Sequence, residues 1–190
     1  MPVRKQAKNR AVFLDRDGVV NRVILRDGKP CAPASLAEFE FLPKVGEAIA
    51  SLKAKGFKVI LATNQPDVGA RKQDRAAVEA IHAHIARTLA VDDIKVCYHT
   101  EKDGCACRKP KPGMLLEAAG EWHLDLKNSF MIGDRWRDIE AGRAAGCKTV
   151  WIEAHYEERQ VQDPDAICAS LFEASRLILS GFSKTRKNKK

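Results

Sequence analysis

Apolar and polar positions along the chain follow two alternating periods, one typical of strands and one typical of helices. Short apolar runs predict five strands, over residues 11–17, 57–62, 94–100, 129–134 and 148–152. Apolar side chains at helical spacing predict five helices, over residues 43–55, 72–90, 114–121, 136–145 and 165–179. Because strands alternate with helices, the sequence predicts right-handed crossovers and a parallel α/β sheet with helices on both faces.

The spacing of these elements predicts a single domain. The sequence has no internal repeat, no interior linker and no stretch long enough for a large cap domain. A segment rich in glycine, proline and charge, roughly 26–35, is predicted to be a loop. We therefore expect an α/β domain over 11–180, between a basic N-terminal segment at 1–10 and a basic flexible tail at 181–190.

Composition narrows the class of protein. The 190 residues are 45% apolar and 31% charged, as in ordinary globular proteins. No apolar run approaches the roughly 20 residues that a membrane helix requires. The basic start leads into a short strand rather than into a signal peptide. We therefore expect a cytoplasmic protein with no membrane partner, and we take it to act as a monomer.

The net charge of +8 lies largely at the two ends of the chain. The first ten residues carry four basic side chains and residues 183–190 carry five, with no acidic residue in either segment. A basic tail can bind nucleic acid, but this one has no aromatic side chain on which a base could stack. We interpret it as a solvated terminus and do not expect nucleic acid to be the partner.

Polar residues form four patches at or just after predicted strand ends, where open α/β sheets bind ligands. The patches are Asp15 with Asp17 before Gly18, Thr63 with Asn64, Lys109 with Lys111, and Asp134 with Asp138. Converging carboxylates suit a divalent cation, and one of them can remain free to attack phosphorus. Hydroxyl, amide and lysine donors suit phosphoryl oxygens. Asp138 could equally complement the N-terminus of the helix that begins at 136.

Three cysteines and one histidine predict a second metal site. The set lies within residues 97–107 and consists of Cys97, His99, Cys105 and Cys107. Residues two apart on a strand face the same way, so Cys97 and His99 should point together. Three thiolates and one imidazole form a closed tetrahedral set, which makes zinc structural rather than catalytic. This zinc-binding loop should hold Arg108 and Lys109 rigid at the edge of the site.

The four polar patches, taken in order, resemble the motifs of the haloacid-dehalogenase-like (HAD) phosphohydrolases over roughly residues 11–153. The resemblance implies a Rossmann-like fold in which Asp15 attacks phosphorus and forms an aspartyl-phosphate. Asp17 would act first as general acid and then as general base. Magnesium would be held by Asp15, Asp134 and a backbone carbonyl of Asp17. Thr63 and Lys109 would fix the phosphoryl oxygens.

The cysteine pattern and the segment Cys107-Arg108-Lys109-Pro110 narrow the resemblance to the group of histidinol-phosphate and heptose-bisphosphate phosphatases. In that group the lysine contacts the phosphoryl group and the arginine helps to recognise the substrate. These roles map onto Lys109 and Arg108, and Lys111 is then peripheral.

Further substrate contacts are expected around the same site. The resemblance places Asn21, Asn64 and Gln65 there, whereas Arg135 could reach substrate or form a surface salt bridge. The loop at 22–36 is longer than the group usually has, so its substrate contacts stay open. We interpret the remaining histidines, which are His82, His84, His123 and His155, as surface or helix-packing residues.

These features together predict a magnesium-dependent phosphatase with a structural zinc ion that acts on a small phosphorylated metabolite. The resemblance favours a heptose bisphosphate as substrate. The sequence leaves open a histidinol-phosphate phosphatase and a phosphatase of nucleic-acid 3′ ends. It also leaves open a zinc-stabilised module without catalytic activity.

Overall fold

The structure, a computed structural model, describes residues 8–26, 29–154, 156 and 158–182. Most of the two basic end segments lies outside these ranges, so the division of the chain at residues 10 and 180 stays a prediction. None of the described helices is long and apolar enough to cross a membrane.

Strands and helices alternate along most of the described chain. The strands are β1 (Arg10–Leu14), β2 (Ile24–Arg26), β3 (Lys29–Cys31), β4 (Phe57–Asn64), β5 (Asp93–Cys97), β6 (Phe130–Gly133), β7 (Lys148–Ile152) and β8 (Ala166–Cys168). The α-helices are α1 (Val45–Ala54), α2 (Pro66–Gly69), α3 (Arg75–Thr88), α4 (Gly113–Glu121), α5 (Trp136–Ala145) and α6 (Leu171–Leu179). Two 3₁₀ turns lie at Glu101–Asp103 and Leu126–Asn128.

Six strands form one parallel sheet in the order β5-β4-β1-β6-β7-β8. The central strand β1 ends at Leu14, which pairs with Leu61 of β4 on one side and Ile132 of β6 on the other. Parallel strands in this register bring their carboxyl ends to one edge of the sheet. The residues that follow β1, β4 and β6 therefore meet at that edge, where a ligand site is expected.

Both faces of the sheet are covered, as predicted. Val12 and Leu14 of β1 pack into a core cluster with apolar residues of α1, α3 and α6. Ala11 and Phe13 point to the opposite face and pack with apolar residues of α4. A strand buried on both faces reads as a continuous apolar run, which explains the pattern at 11–14.

The predicted loop at 26–35 is wrong in part, because β2 and β3 form an antiparallel hairpin in which Ile24 pairs with Cys31. The dipeptide Asp27-Gly28, typical of two-residue hairpin turns, was the sequence signal for it. Both residues of the dipeptide lie outside the described ranges.

The predicted helix over 165–179 is also wrong at its start. Residues 166–168 form β8, in which Cys168 pairs with Ile152 of β7. The helix begins at Leu171, and Ser170 caps it by accepting a hydrogen bond of 3.2 Å from the Glu173 N–H. A three-residue strand has too little periodicity to be recognised in sequence, and its pairing with β7 decides its conformation.

Other predicted boundaries move by a few residues. The helix predicted over 72–90 begins at Arg75, after the N-cap Asp74, whose carboxylate accepts from the Ala76 N–H at 3.0 Å. The strand predicted over 94–100 ends at Cys97. His99 therefore lies beyond the strand, and the argument that it shares a strand face with Cys97 is wrong.

Candidate active site and metal clusters

Three buried carboxylates converge at the carboxyl edge of the sheet. Asp15 follows β1, Asp134 follows β6, and Asp138 lies in the first turn of α5; they are 8%, 3% and 1% exposed. One carboxylate oxygen of each lies within 4.8 Å of the other two. Asp138 also accepts a hydrogen bond of 3.0 Å from the Arg135 N–H. It therefore caps α5 and takes part in the site, so the two roles left open by the sequence coexist.

Lys109 supplies the positive charge that this group needs. Its Nζ lies 2.9 Å from Oδ1 of Asp15 and 2.5 Å from Oδ1 of Asp138, and the side chain is 2% exposed. The side-chain amide of Asn64 binds both backbone groups of Lys109, at 3.1 Å to its N–H and 3.0 Å to its carbonyl oxygen. Asn64, predicted to contact substrate, thus anchors the lysine to the end of β4.

The carboxylates still lack enough positive charge. Burial, followed by the charge of Asp138, raises the pKa of Asp15 to about 6 although Lys109 opposes the shift. Burial and the two neighbouring carboxylates raise the pKa of Asp134 well above its ordinary value. Both carboxylate oxygens of Asp134 are buried with no well-formed hydrogen bond among the described residues, although the Tyr156 hydroxyl lies close enough to lower the pKa of Asp134. A divalent cation would neutralise the cluster and bind these oxygens, so the donor set fits magnesium.

Two glycines allow the carboxylates to approach so closely. Gly18 has φ of +87°, and a Cβ there would collide with the carboxylate of Asp134. A Cβ on Gly133 would collide in the same way with Asp138. The glycine after Asp17 and the glycine before Asp134 are therefore required by the site and not only by chain turns.

Asp17 lies next to this group, but its carboxylate is turned toward other partners. Nε and Nη2 of Arg16 lie 3.0–3.2 Å from its two oxygens, and Asn21 and Gln65 donate at 2.9 and 2.8 Å. Burial opposes its charge, but the Arg16 charge and the hydrogen bonds outweigh burial and hold the pKa of Asp17 below its usual value. The three-carboxylate group thus contains Asp138 rather than the Asp17 side chain, which leaves the backbone carbonyl as the predicted metal contact of Asp17.

Three other predicted residues form hydrogen bonds with Asp17 or with one another. Asn21 is fully buried, and its amide donates to Asp17 and to the carbonyl of Arg22. Thr63 is 1% exposed, and its hydroxyl accepts from Gln65 at 2.9 Å. Gln65 therefore links the end of β4 to Asp17 through one amide group.

A cavity of about 150 Å³ lies beside the carboxylates. Its basic lining side chains besides Lys109 are Arg108, Arg135 and Arg137. The hairpin side contributes small and apolar residues, namely Val23, Pro30, Cys31 and Ala32. Two basic side chains of the loop at 22–36 point elsewhere, since Arg22 pairs with Glu40 and Arg26 with Glu38 at the surface.

Arg135 combines the two possibilities raised by the sequence. It lines the cavity, and its Nη2 also lies 2.9 Å from Oε1 of Glu158 and 3.4 Å from the carbonyl oxygen of Pro30. Arg108 donates to the carbonyl of His99 at 3.2 Å, which ties it to the cysteine loop. Both arginines are thus held in place at the rim.

The second cluster brings together all four predicted zinc ligands. The Sγ atoms of Cys97, Cys105 and Cys107 lie 3.2–3.7 Å apart, and Nδ1 of His99 lies 3.6 Å from Cys97 and 3.3 Å from Cys107. A tetrahedral zinc site with Zn–S bonds of about 2.3 Å has edges of about 3.8 Å. The cluster therefore has the size and donor set of a structural zinc site. Lys111 donates to the carbonyl oxygens of Gly104 and Cys105, at 2.8 and 2.9 Å, and does not line the cavity beside the carboxylates.

Two residues beside Asp17 were missed at the level of sequence. Arg16 is fully buried between the two aspartates of the first patch, and its Nη1 lies 3.0 Å from Nε2 of His82. His82 is itself 7% exposed in α3 and packs as a buried residue. No sequence signal links residues 16 and 82, because only the packing of α3 against β1 and β4 brings them together.

Comparison with known proteins agrees with this geometry. A family model described as HAD-hydrolase-like matches residues 106–174. The D-glycero-beta-D-manno-heptose-1,7-bisphosphate 7-phosphatase of Pseudomonas aeruginosa is 37% identical over 80% of this chain and 86% of its own length. The D-glycero-alpha-D-manno-heptose-1,7-bisphosphate 7-phosphatase of Mycobacterium tuberculosis is 35% identical over 74% of this chain and 78% of its own.

Solved structures show the same relationship. The D,D-heptose 1,7-bisphosphate phosphatase of Bordetella bronchiseptica, complexed with magnesium and phosphate, superimposes with a TM-score of 0.79. The match is 34% identical in sequence and covers 90% of this chain and 98% of that one.

Proposed function

The chain belongs to the HAD-like hydrolases, in the group of the heptose-1,7-bisphosphate 7-phosphatases, and we propose that it removes the 7-phosphate of a D-glycero-D-manno-heptose 1,7-bisphosphate. It is a phosphoric monoester hydrolase. The observation that carries the proposal is the centre of three buried carboxylates and Lys109 at the sheet edge. That centre occurs in a chain whose relatives, 35–37% identical, are named for this reaction.

Asp15 is the nucleophile in this proposal. Its carboxylate oxygen attacks phosphorus, the bond from phosphorus to the substrate oxygen breaks, and an aspartyl-phosphate forms on Asp15. Lys109 holds Asp15 at 2.9 Å and supplies a positive charge for the phosphoryl oxygens. Thr63 contributes a buried hydroxyl at the end of the neighbouring strand.

Asp17 moves the protons. It gives a proton to the leaving oxygen of the sugar, and in the second step it takes one from the water that attacks the aspartyl-phosphate. Water thereby releases inorganic phosphate and restores the carboxylate of Asp15. In the free protein the pKa of Asp17 is lowered, which favours its charged, base form. The negative charge of a bound phosphate raises the pKa of Asp17 and so favours the protonated, acid form.

Magnesium and zinc have separate duties in the proposal. Asp15, Asp134 and the backbone carbonyl of Asp17 would hold magnesium, with Asp138 beside them. When bound, magnesium neutralises charge on the phosphoryl group. Without this neutralisation, the carboxylate of Asp15 and the phosphate would repel each other. Zinc on the cysteine–histidine cluster would fix the segment that carries Arg108 and Lys109.

The charge of the cavity rim favours a substrate that carries a second negative group, away from the phosphate that reacts. Arg108, Arg135 and Arg137 line the rim, and Arg108 and Arg137 have no acidic partner among the described residues. A second phosphate, as in a sugar bisphosphate, would pair with such cations. The ammonium and imidazole groups of histidinol phosphate would gain nothing from them, so this alternative is disfavoured.

A phosphate-release panel tests the proposal. It contains the alpha and beta anomers of the heptose bisphosphate, histidinol phosphate and a 3′-phosphorylated oligonucleotide, each with magnesium or with EDTA. We expect a heptose bisphosphate to give the highest kcat/KM of the panel. We expect phosphate release only in the reactions that contain magnesium. Preference for histidinol phosphate or for the oligonucleotide would overturn the substrate assignment. Both anomers are included because relatives are named for each.

We further propose that the protein acts as a monomer, in the cytoplasm, on a small metabolite rather than on nucleic acid. Light scattering on the purified full chain tests the monomer, and electrophoretic mobility with labelled DNA tests the absence of nucleic-acid binding.

A further inference from the structure

Arg16 is a buried cation whose donors are directed at two side chains. It is fully buried, and its Nε and Nη2 face Asp17 while its Nη1 faces His82. A guanidinium has no acceptor, so Nε2 of His82 must accept this bond, and the proton of the neutral ring is on Nδ1. His82 therefore satisfies the Arg16 donor that points away from the site.

The environment of His82 keeps it in this accepting form. Burial, followed by the charge of Arg16, lowers its pKa to about 4, against weaker opposing effects of Asp17 and Glu79. The imidazole is thus a neutral acceptor at neutral pH. Its position is fixed by α3, where it lies on the buried face with Val78, Ile81 and Ile85.

Asp17 needs such support more than a surface carboxylate would. A guanidinium that contacts both oxygens of a carboxylate fixes its rotation as well as its charge. The other two donors, on Asn21 and Gln65, each contact one oxygen of Asp17. Of these partners, Arg16 alone approaches both oxygens. The orientation of Asp17 therefore depends on where the guanidinium lies.

We propose that His82 is a positioning residue for proton transfer: it fixes the guanidinium of Arg16, which orients the carboxyl group of Asp17 toward the leaving oxygen. The inference rests on the proposed phosphatase function. In the assisted step the phosphorus–oxygen bond breaks and the proton of Asp17 goes to the departing oxygen, which leaves as an alcohol. Loss of the His82 contact lets Arg16 shift and leaves Asp17 misaligned.

Leaving-group dependence separates this role from simple packing. A sugar phosphate leaves as an alkoxide and needs the proton, whereas p-nitrophenyl phosphate leaves as a stable phenolate and does not. We expect His82→Leu to lower kcat/KM on the heptose bisphosphate about tenfold or more, the scale of a weakened general acid. We expect kcat/KM on p-nitrophenyl phosphate, which reports formation of the aspartyl-phosphate and not its hydrolysis, to change by less than about twofold.

Variants of three residues complete the test. His82→Gln retains an acceptor at the same reach and should restore most of the lost kcat/KM, while His84→Leu is the matched control. His84 lies two residues further along α3 and packs on Phe39 and Phe41 instead of Arg16. Arg16→Lys keeps the charge but cannot contact both Asp17 oxygens and His82, so it should show the same selective loss if His82→Leu does not fold.

The outcomes of these experiments distinguish a failure of the His82 positioning role from a failure of the proposed phosphatase function. If the wild-type protein hydrolyses no phosphomonoester, the proposed function fails. If the wild type is active and His82→Leu and Arg16→Lys lower kcat/KM equally for both substrates, or for neither, the positioning role is wrong. The role is also wrong if His82→Gln is no better than His82→Leu.

Discussion

Lys109 Nζ lies 2.9 Å from Oδ1 of Asp15, in a site where the lysine is 2% exposed. The proposed nucleophile is thus paired with a buried cation before any ligand arrives. Because Asp138 shares the same ammonium, the charge of Lys109 is divided between two carboxylates. Burial and the mutual repulsion of the carboxylates keep the pKa values of Asp15 and Asp134 raised, and one shared ammonium does not offset them, so a second cation fits the site.

Removing the nucleophile should abolish turnover and leave the fold intact. Asp15→Asn keeps the shape of the side chain but cannot attack phosphorus, so we expect phosphate release to fall about a thousandfold or more. Asp163→Asn is the control, because Asp163 is exposed and has a positive φ that asparagine tolerates. Substantial activity in purified Asp15→Asn would exclude Asp15 as nucleophile.

Removing the shared cation should destabilise the protein. Lys109→Met leaves Asp15 and Asp138 buried without their partner, and breaking a buried ion pair typically costs about 3–5 kcal/mol. Urea unfolding in buffer without added magnesium or chelator measures this loss of free energy. Lys111→Met, which affects only carbonyl contacts of the cysteine loop, should cost less. Equal unfolding midpoints for wild type and Lys109→Met would contradict the proposed charge balance.

The close approach between Gly18 and the carboxylate of Asp134 can be tested by substitution. Gly146, which has the same backbone conformation, serves as the control. Gly18→Ala and Gly146→Ala both place a Cβ at positive φ, +87° and +85°, which costs about 1–2 kcal/mol in each. Only the Cβ at residue 18 would collide with Asp134, since nothing lies near the Cβ position at 146. We therefore expect Gly18→Ala to raise the magnesium concentration for half-maximal activity, while Gly146→Ala leaves it unchanged.

The cysteine–histidine cluster should bind one zinc ion per chain. Cys105→Ser removes one thiolate from a four-ligand set, so zinc content and melting temperature should both fall. Elemental analysis of protein purified without chelator measures the zinc. Cys168→Ala is the control for zinc content, because Cys168 lies in β8, outside the cluster. A wild-type chain without stoichiometric zinc would contradict the assignment.

The buried histidine predicts a pH effect on stability with a definite sign. Folding lowers the pKa of His82 from 6.5 to about 4, so between these values the unfolded chain binds a proton that the folded chain does not. Wild-type stability should therefore fall, relative to His82→Gln, as the pH drops below about 6.5. The difference should reach about 2 kcal/mol near pH 5. Urea unfolding of both proteins at each pH measures it, and parallel curves would contradict the prediction.

Much of the active site was readable from sequence because its members stand at strand ends. Asp15 and Asp134 each follow an apolar run, with Gly18 three residues after the first and Gly133 directly before the second, and a parallel sheet brings such positions to one edge. The cysteine–histidine set was readable because metal ligands are few in kind and closely spaced. His99 shows the limit of local reasoning, because it reaches the cluster from beyond the strand.

Other features could not be read in this way. The dual role of Asp138 depends on Lys109, which reaches it from a loop 29 residues earlier in the chain. The hairpin of β2 and β3 and the short strand β8 depend on pairing partners rather than on their own periodicity. The contact between Arg16 and His82 joins residues 66 positions apart.

The sequence by itself determined the alternation of strands and helices, the reaction class and the residue types at the site, because each depends on local pattern or on side-chain chemistry. The tertiary structure decided which of these residues form hydrogen bonds or ion pairs with one another and which of them line the same cavity. Burial decided the pKa shifts of Asp15, Asp134 and His82, since the loss of water depends on what packs around a group and not on its neighbours in sequence.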